Sequence, residues 1–267
     1  MSAATAVYTK PNAPRLSTAG LIRSEWIKLR SVRSTVWSFA IVIAASATIA
    51  VGLSSTASDI PRTVSEQATE ALWVATFGVN IGQLVMAALG VLVISGEYGT
   101  GMIRSTLTAV PKRTPALAAK AVVLFAASFA VGAIATFGSS LISAPILAGR
   151  GITVQFDGAF VRDLLMAALY LAFTSVFALG IGTVLRSSAG GLAAALGIVL
   201  LLPFLVFQLE FAGAQWLRDS SPYLFSNAGA GMYTGGQFEQ WQFTLIVVAW
   251  TAVSLGLGAL LLKRRDA

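Results

Sequence analysis

Cysteine and histidine are both absent from the 267 residues. Disulfides, thiol nucleophiles, imidazole bases and the usual zinc and haem ligands are absent with them, so no metal site is expected. A Ser-His nucleophile pair is impossible for the same reason. Charge is also scarce: 11% of the residues are charged against 56% hydrophobic. None of the charged residues falls in the middle of a long apolar run; Glu97, Lys120, Arg186 and Glu210 come nearest, at the ends. A charge at membrane depth carries an insertion penalty of about 2.5 to 3.5 kcal/mol and persists only for function. Its absence argues against proton- or sodium-coupled carriage, a Ser-Lys pair and a carboxylate-based synthase or protease. No lysine follows a glycine, so there is no Gly-Lys-Ser/Thr loop to cradle ATP phosphates. The chain is not expected to be an enzyme.

What is present is apolar length. Runs sufficient for a hydrocarbon core of about 30 Å lie at about 36–53, 72–94, 121–141, 164–185, 191–208 and 243–262. They predict an all-α integral membrane protein with six transmembrane helices in one domain over 36–265. Some 35 residues with six cations precede the first run and no convincing cleavage site follows it, so it is expected to be a retained span. The 18 Lys and Arg outnumber the 11 Asp and Glu. Nucleic acid is not the expected partner, because the cations sit beside apolar segments rather than along a solvated stripe with interleaved aromatics. Six spans put both termini on one side. That side carries 14 basic residues and the other side four, which together with eight of the 11 acids makes the basic side cytoplasmic. A multi-pass protein of the cytoplasmic membrane is expected.

Residues 1–15, with Pro11 and Pro14, read as a disordered tail. Over 16–35, Ile22, Trp26 and Leu29 recur at i, i+4 and i+7, flanked by Arg23 and Arg30, with Lys28 pointing away. The pattern predicts an amphipathic helix lying in the lipid interface, or a basic segment that only sets topology. The connection 209–242 is rich in aromatics, which favour the opposite interface. In it "LEFAGAQWL" reads either as a short helix on that leaflet or as an ordinary loop, and Gly229, Gly231, Gly235 and Gly236 read as loop.

Within the spans, the polar exceptions are Asn80, Gln83, Thr174 and Ser175. Asn80 and Gln83 share a helical face, and the four residues either line a translocation path or hydrogen-bond neighbouring helices. Gly78 and Gly82, and Ser254 and Gly258, form small-x-x-x-small pairs that suggest close helix contacts.

The passage "SGEYGTGMIRSTLTAVPKRTPALAAK", Ser95 to Lys120, joins the second and third spans. The second span is expected to end near Gly96, or one turn later at Gly99 and Gly101. "MIRSTL" then forms a short amphipathic helix with Ile103 and Leu107 paired, Pro111 and Pro115 end it, and Lys120 snorkels as the third span enters. This is a docking surface on the cytoplasmic side.

This passage resembles the cytoplasmic loop of ABC type-2 exporter permeases, in which a Glu, a Gly-Thr, an Arg, a Thr-Leu and a Pro-Lys/Arg turn precede an Ala-Lys. "EWIKLRSVRSTVW" resembles the entry of the same family, and six spans match its size. The resemblance implies a coupling helix resting in a groove of a separate cytoplasmic ATP-binding cassette ATPase, which would hold the ATP and magnesium. It also implies pairing with a second permease copy or paralogue. Carried over, Glu97 stands at the membrane-proximal start, Gly99 and Thr100 at the turn and Arg104 on the docking helix; Tyr98, Ile103 and Leu107 complete the expected coupling surface. Gly101-Met102 departs from the family's usual spacer. The function so implied is ATP-driven export of a hydrophobic or amphipathic substrate, a drug, lipid or peptide. The rivals are a non-transporting scaffold or sensor that recruits a partner through residues 96–115, and, third, a channel or secondary carrier.

Overall fold

The computed structural model describes residues 17–57, 63–102 and 114–264, and among these every regular element is helical. The N-terminal tail and the helix expected around "MIRSTL" lie outside the described residues. Helix α1 (Thr18–Ser31) is capped by Ser17, whose Oγ accepts from the Gly20 amide at 3.0 Å. A one-residue break at Val32 leads into α2 (Arg33–Thr56). Then come α3 (Val64–Thr76), α4 (Val79–Gly99), α5 (Thr114–Ala148) and α6 (Gly158–Leu185). The fifth span is α7 (Ser188–Leu196), a π-turn (Gly197–Leu201) and α8 (Leu202–Phe211); α9 (Phe225–Thr234) and α10 (Gln240–Arg264) complete the chain.

Six helical segments are long and apolar enough to cross a membrane: Arg33–Thr56, Val64–Gly99, Thr114–Ala148, Gly158–Leu185, Ser188–Phe211 and Gln240–Arg264. Large apolar side chains on their outer surfaces, among them Trp37, Ile41, Leu141, Phe204, Phe207 and Leu257, are exposed. An exterior of that kind belongs in lipid, and the chain is a multi-pass membrane protein. The segments overrun the apolar runs that predicted them. At 35 residues, α5 is about 52 Å long, well beyond the hydrocarbon core. The second segment is broken at Phe77–Gly78, where Asn80 Nδ2 donates to the Phe77 carbonyl at 3.1 Å. The π-turn precedes Pro203, which lacks the amide a regular helix needs, and the Leu202 amide reaches back to the Gly197 carbonyl instead.

Helix α6 is the hub, packed against α4, α5, α10, α9 and α7. Two apolar surfaces gain little from meeting inside lipid, so close approach of small residues supplies the packing. A Cβ on Gly90 of α4 would strike the Ser175 carbonyl and Ala178 of α6, and one on Gly132 of α5 would press on Ala168. Gly180 meets Ser254 of α10, whose Oγ donates to the Phe177 carbonyl at 2.7 Å. The two sequence pairs are therefore contacts within the chain: Gly78 lies on Ser46, Gly82 near Val42 and Leu171, and Gly258 near Thr183.

The connection 209–242 departs from its loop reading. Gly229 and Gly231 are helical, in α9, where they let Tyr170 and Phe243 approach the backbone. Only Gly235 and Gly236 keep loop geometry, with φ of 70° and 147°. "LEFAGAQWL" is not one helix either: α8 ends at Phe211, Gly213 turns with φ of 106°, and Gln215–Leu217 forms a single 3-10 turn.

Gly90→Val is expected to weaken the α4–α6 contact by about 1 to 3 kcal/mol through overpacking, read by detergent-denaturant titration of tryptophan fluorescence. Gly52→Ala, whose Cβ enters open space, is expected to leave the midpoint unchanged or slightly raised.

Candidate functional site

Two acids and two lysines from three helices meet at the basic end of the bundle. Glu25 lies on the buried face of α1 with Leu29. Glu97 is in the last turn of α4, and Lys120 is in the second turn of α5. Lys28 Nζ donates to Glu25 Oε1 at 2.7 Å and to Glu97 Oε1 at 3.1 Å. Lys120 Nζ donates to Glu25 Oε2 at 2.5 Å and to Glu97 Oε1 at 2.8 Å. The four groups close a ring of alternating charge with no net charge. Glu25, Glu97 and Lys120 are buried, and Lys28 forms the rim with a side chain 28% exposed. Burial alone would lower the Lys28 pKa, but its hydrogen bond to Glu25 and the charges of Glu97 and Glu25 outweigh that and hold it above the ordinary lysine value. Its contribution to stability is thus fully present below the unfolded pKa of about 10.4 and is lost only as the pH rises past the folded one.

The ring corrects two side-chain directions. Lys120 does not snorkel outward; its aliphatic stem enters the bundle and its ammonium bridges two carboxylates. Lys28 does not point away, and the inward face of α1 is set by Glu25 and Leu29, leaving Ile22 and Trp26 exposed with Arg23 and Arg30. A signal for Glu25 was present in the sequence. It and Glu97 are isolated acids in basic surroundings, Glu25 between Arg23 and Lys28 and Glu97 at the end of an apolar run that leads to a basic loop.

The rest of the site trims the end of α4. Of the two expected ends the helix takes the later, running one turn past Gly96 to Gly99; Thr100 caps it, its amide and Oγ1 both donating to the Gly96 carbonyl, and Gly101 turns away with φ of 71°. The Tyr98 ring lies under the Arg186 guanidinium, 5.3 Å from its centroid. Arg186 is presented there by a left-handed residue at the end of α6, with φ of 54°. Ser188 Oγ donates to Ser95 Oγ at 2.9 Å, tying the start of α7 to the same end of α4. Ile103, Arg104 and Leu107 lie outside the described residues, between the end of α4 and the start of α5.

The polar residues of the spans are not brought to this place. Asn80 and Gln83 do not share an environment: Asn80 is exposed, whereas Gln83 is buried and its Oε1 accepts from the Tyr170 hydroxyl. Thr174 and Ser175 donate to carbonyls of their own helix, at 2.9 Å to Tyr170 and 2.8 Å to Ala172. Of the four, only Gln83 hydrogen-bonds another helix. Among the described residues no group of three or more acids could hold a metal ion.

Compared with known proteins, the chain matches no family model and no curated protein.

Removing one member of the ring leaves a buried charge uncompensated, a loss of roughly 3 to 5 kcal/mol. Lys120→Met and Glu25→Gln are each expected to lower unfolding stability on that scale. Combining them in one chain is expected to lower it by much less than the sum, read as the coupling term of a double-mutant cycle.

Proposed function

We propose that the chain is the membrane subunit of an ATP-driven exporter, with residues 96–115 docking a separate cytoplasmic ATP-binding cassette ATPase. The supporting observation is the charge ring. It binds α1 to the two helix ends, Gly99 and Thr114, between which the loop emerges. A push on that loop is delivered to α4 and α5 together, and through them to α6, against which both are packed. A joint of this kind suits a subunit driven from outside its own chain, and fits the likeness of the Ser95–Lys120 passage to ABC type-2 permeases.

In this reading both termini and the loop are cytoplasmic, by the balance of basic residues. Helix α1 lies along the cytoplasmic interface, with exposed Ile22 and Trp26 toward lipid and Arg23 and Arg30 at the headgroups. The ATPase supplies the ATP and magnesium, and a second permease copy or paralogue completes the transporter. Glu97 and Tyr98 hold the base of the loop through the ring and the Arg186 contact. Gly99 and Thr100 form the turn, and Ile103, Arg104 and Leu107 are the docking side chains. Closure of the paired ATPases rocks the spans and carries a hydrophobic or amphipathic substrate outward.

Affinity capture of the tagged chain from its native membrane in mild detergent is expected to bring down a stoichiometric P-loop ATPase. Arg104→Glu is expected to reduce that capture several-fold while leaving the yield and melting temperature of the chain unchanged. A chain recovered alone, or with a partner that is not an ATPase, overturns the assignment.

A further inference from the structure

A cavity of about 500 Å³ opens beside the charge ring, between α1, the start of α2, the last turns of α4 and the start of α5. One wall is apolar, formed by Leu89, Leu92, Val93 and Val123. The other end is polar and unfinished in two ways. Glu97 lines the cavity, and although its Oε1 takes both lysines, its Oε2 is buried and accepts no hydrogen bond. A buried carboxylate oxygen without a donor is unfavourable by the desolvation it has undergone, so the place fits a donor, most favourably a charged one. Val32, Ser34 and Thr35 line the same cavity and bring in the N-terminus of α2. That helix has 24 residues, no side-chain cap and no acid in its first turn. Its first amides and the positive end of its dipole therefore favour an anion.

We propose that this cavity is a binding site for an aminophospholipid of the surrounding bilayer. The phosphate rests at the uncapped start of α2, the primary ammonium donates to Glu97 Oε2, and an acyl chain follows Leu89, Leu92, Val93 and Val123. The pairing of features selects the headgroup. A headgroup carrying one charge of each sign meets both the helix start and Glu97 Oε2, which a simple cationic or anionic amphiphile would not. A choline headgroup is also zwitterionic, but its quaternary nitrogen has no N–H to give. The position at the end of the spans is the depth at which bilayer headgroups lie. The site does not depend on an ATPase partner, and its test is separate from that of coupling.

The experiment uses the full chain equilibrated with vesicles of equal phosphatidylethanolamine and phosphatidylcholine with matched acyl chains, followed by native mass spectrometry of the detergent-released protein. Retention of the ethanolamine lipid is expected to exceed that of the choline lipid by about tenfold, the scale of one charge-assisted hydrogen bond. Glu97→Gln is expected to abolish the preference. Because that change also touches the ring, Ser34→Asp provides the independent arm. A carboxylate in the first turn of α2 favours the helix and leaves the ring intact, yet repels a phosphate. It is expected to keep or raise the melting temperature while cutting retention of the ethanolamine lipid about tenfold. Equal retention of both lipids by the unaltered chain overturns the proposal. So does preferred retention of phosphatidylglycerol when that lipid replaces phosphatidylcholine in the vesicles, or undiminished ethanolamine retention by a folded Ser34→Asp chain.

Discussion

A closed ring of two carboxylates and two ammonium groups, three of the four buried, sets the arrangement of the basic end of this bundle. Withdrawing such groups from water is expensive, and their mutual attraction repays the loss only if every member is present and well placed. A ring of this kind is therefore a weak source of net stability but a strong determinant of position. Sliding α1 by one residue along the bundle would turn Glu25 away and leave Lys120 with half its partners. The register of a 14-residue helix that contributes few buried apolar side chains is in this way fixed by charge.

The bundle behind the ring is held on different terms. Around α6 the neighbouring helices approach through Gly90, Gly132, Gly180 and Gly182, where added side chains would strike backbone or packed carbon. Dispersion at short range does the work that the exclusion of water does in a soluble core. Hydroxyls bond within their own helices at Thr174 and Thr183 and to a carbonyl across the contact at Ser254, whereas Ser128 and Ser139 of α5 are buried without a hydrogen bond. The ring adds what small-residue packing lacks, a contact specific enough to distinguish one register from the next.

The spans were legible in the sequence because bilayer thickness imposes a length on apolar runs, and each run falls within one of the six helical segments, two of which are interrupted. Helix ends were less so, since nothing in composition requires a helix to stop where the hydrocarbon does; α5 continues well beyond its apolar stretch. The direction of a lysine at a span end is set by where the acids of other helices lie, and that is tertiary information. Lys120 read alone is a snorkelling residue; Lys120 beside Glu25, 95 positions away in the chain, is a bridge. Glycine in the 209–242 connection was ambiguous for a similar reason. The same residue permits a turn at Gly235 and close helix packing at Gly229, and only the presence of Tyr170 against the latter separates the two.

Neutrality gives the ring its mechanical character. Four charges that cancel exert little long-range pull of their own, so what the ring does it does through its short contacts. Within the ring each ammonium bridges two carboxylates, so a displacement of α4 relative to α5 stretches the Lys120–Glu97 contact and a second one through α1. A displacement at the adjoining ends of α4 and α5 consequently reaches α1 through the ring and α6 through their shared packing.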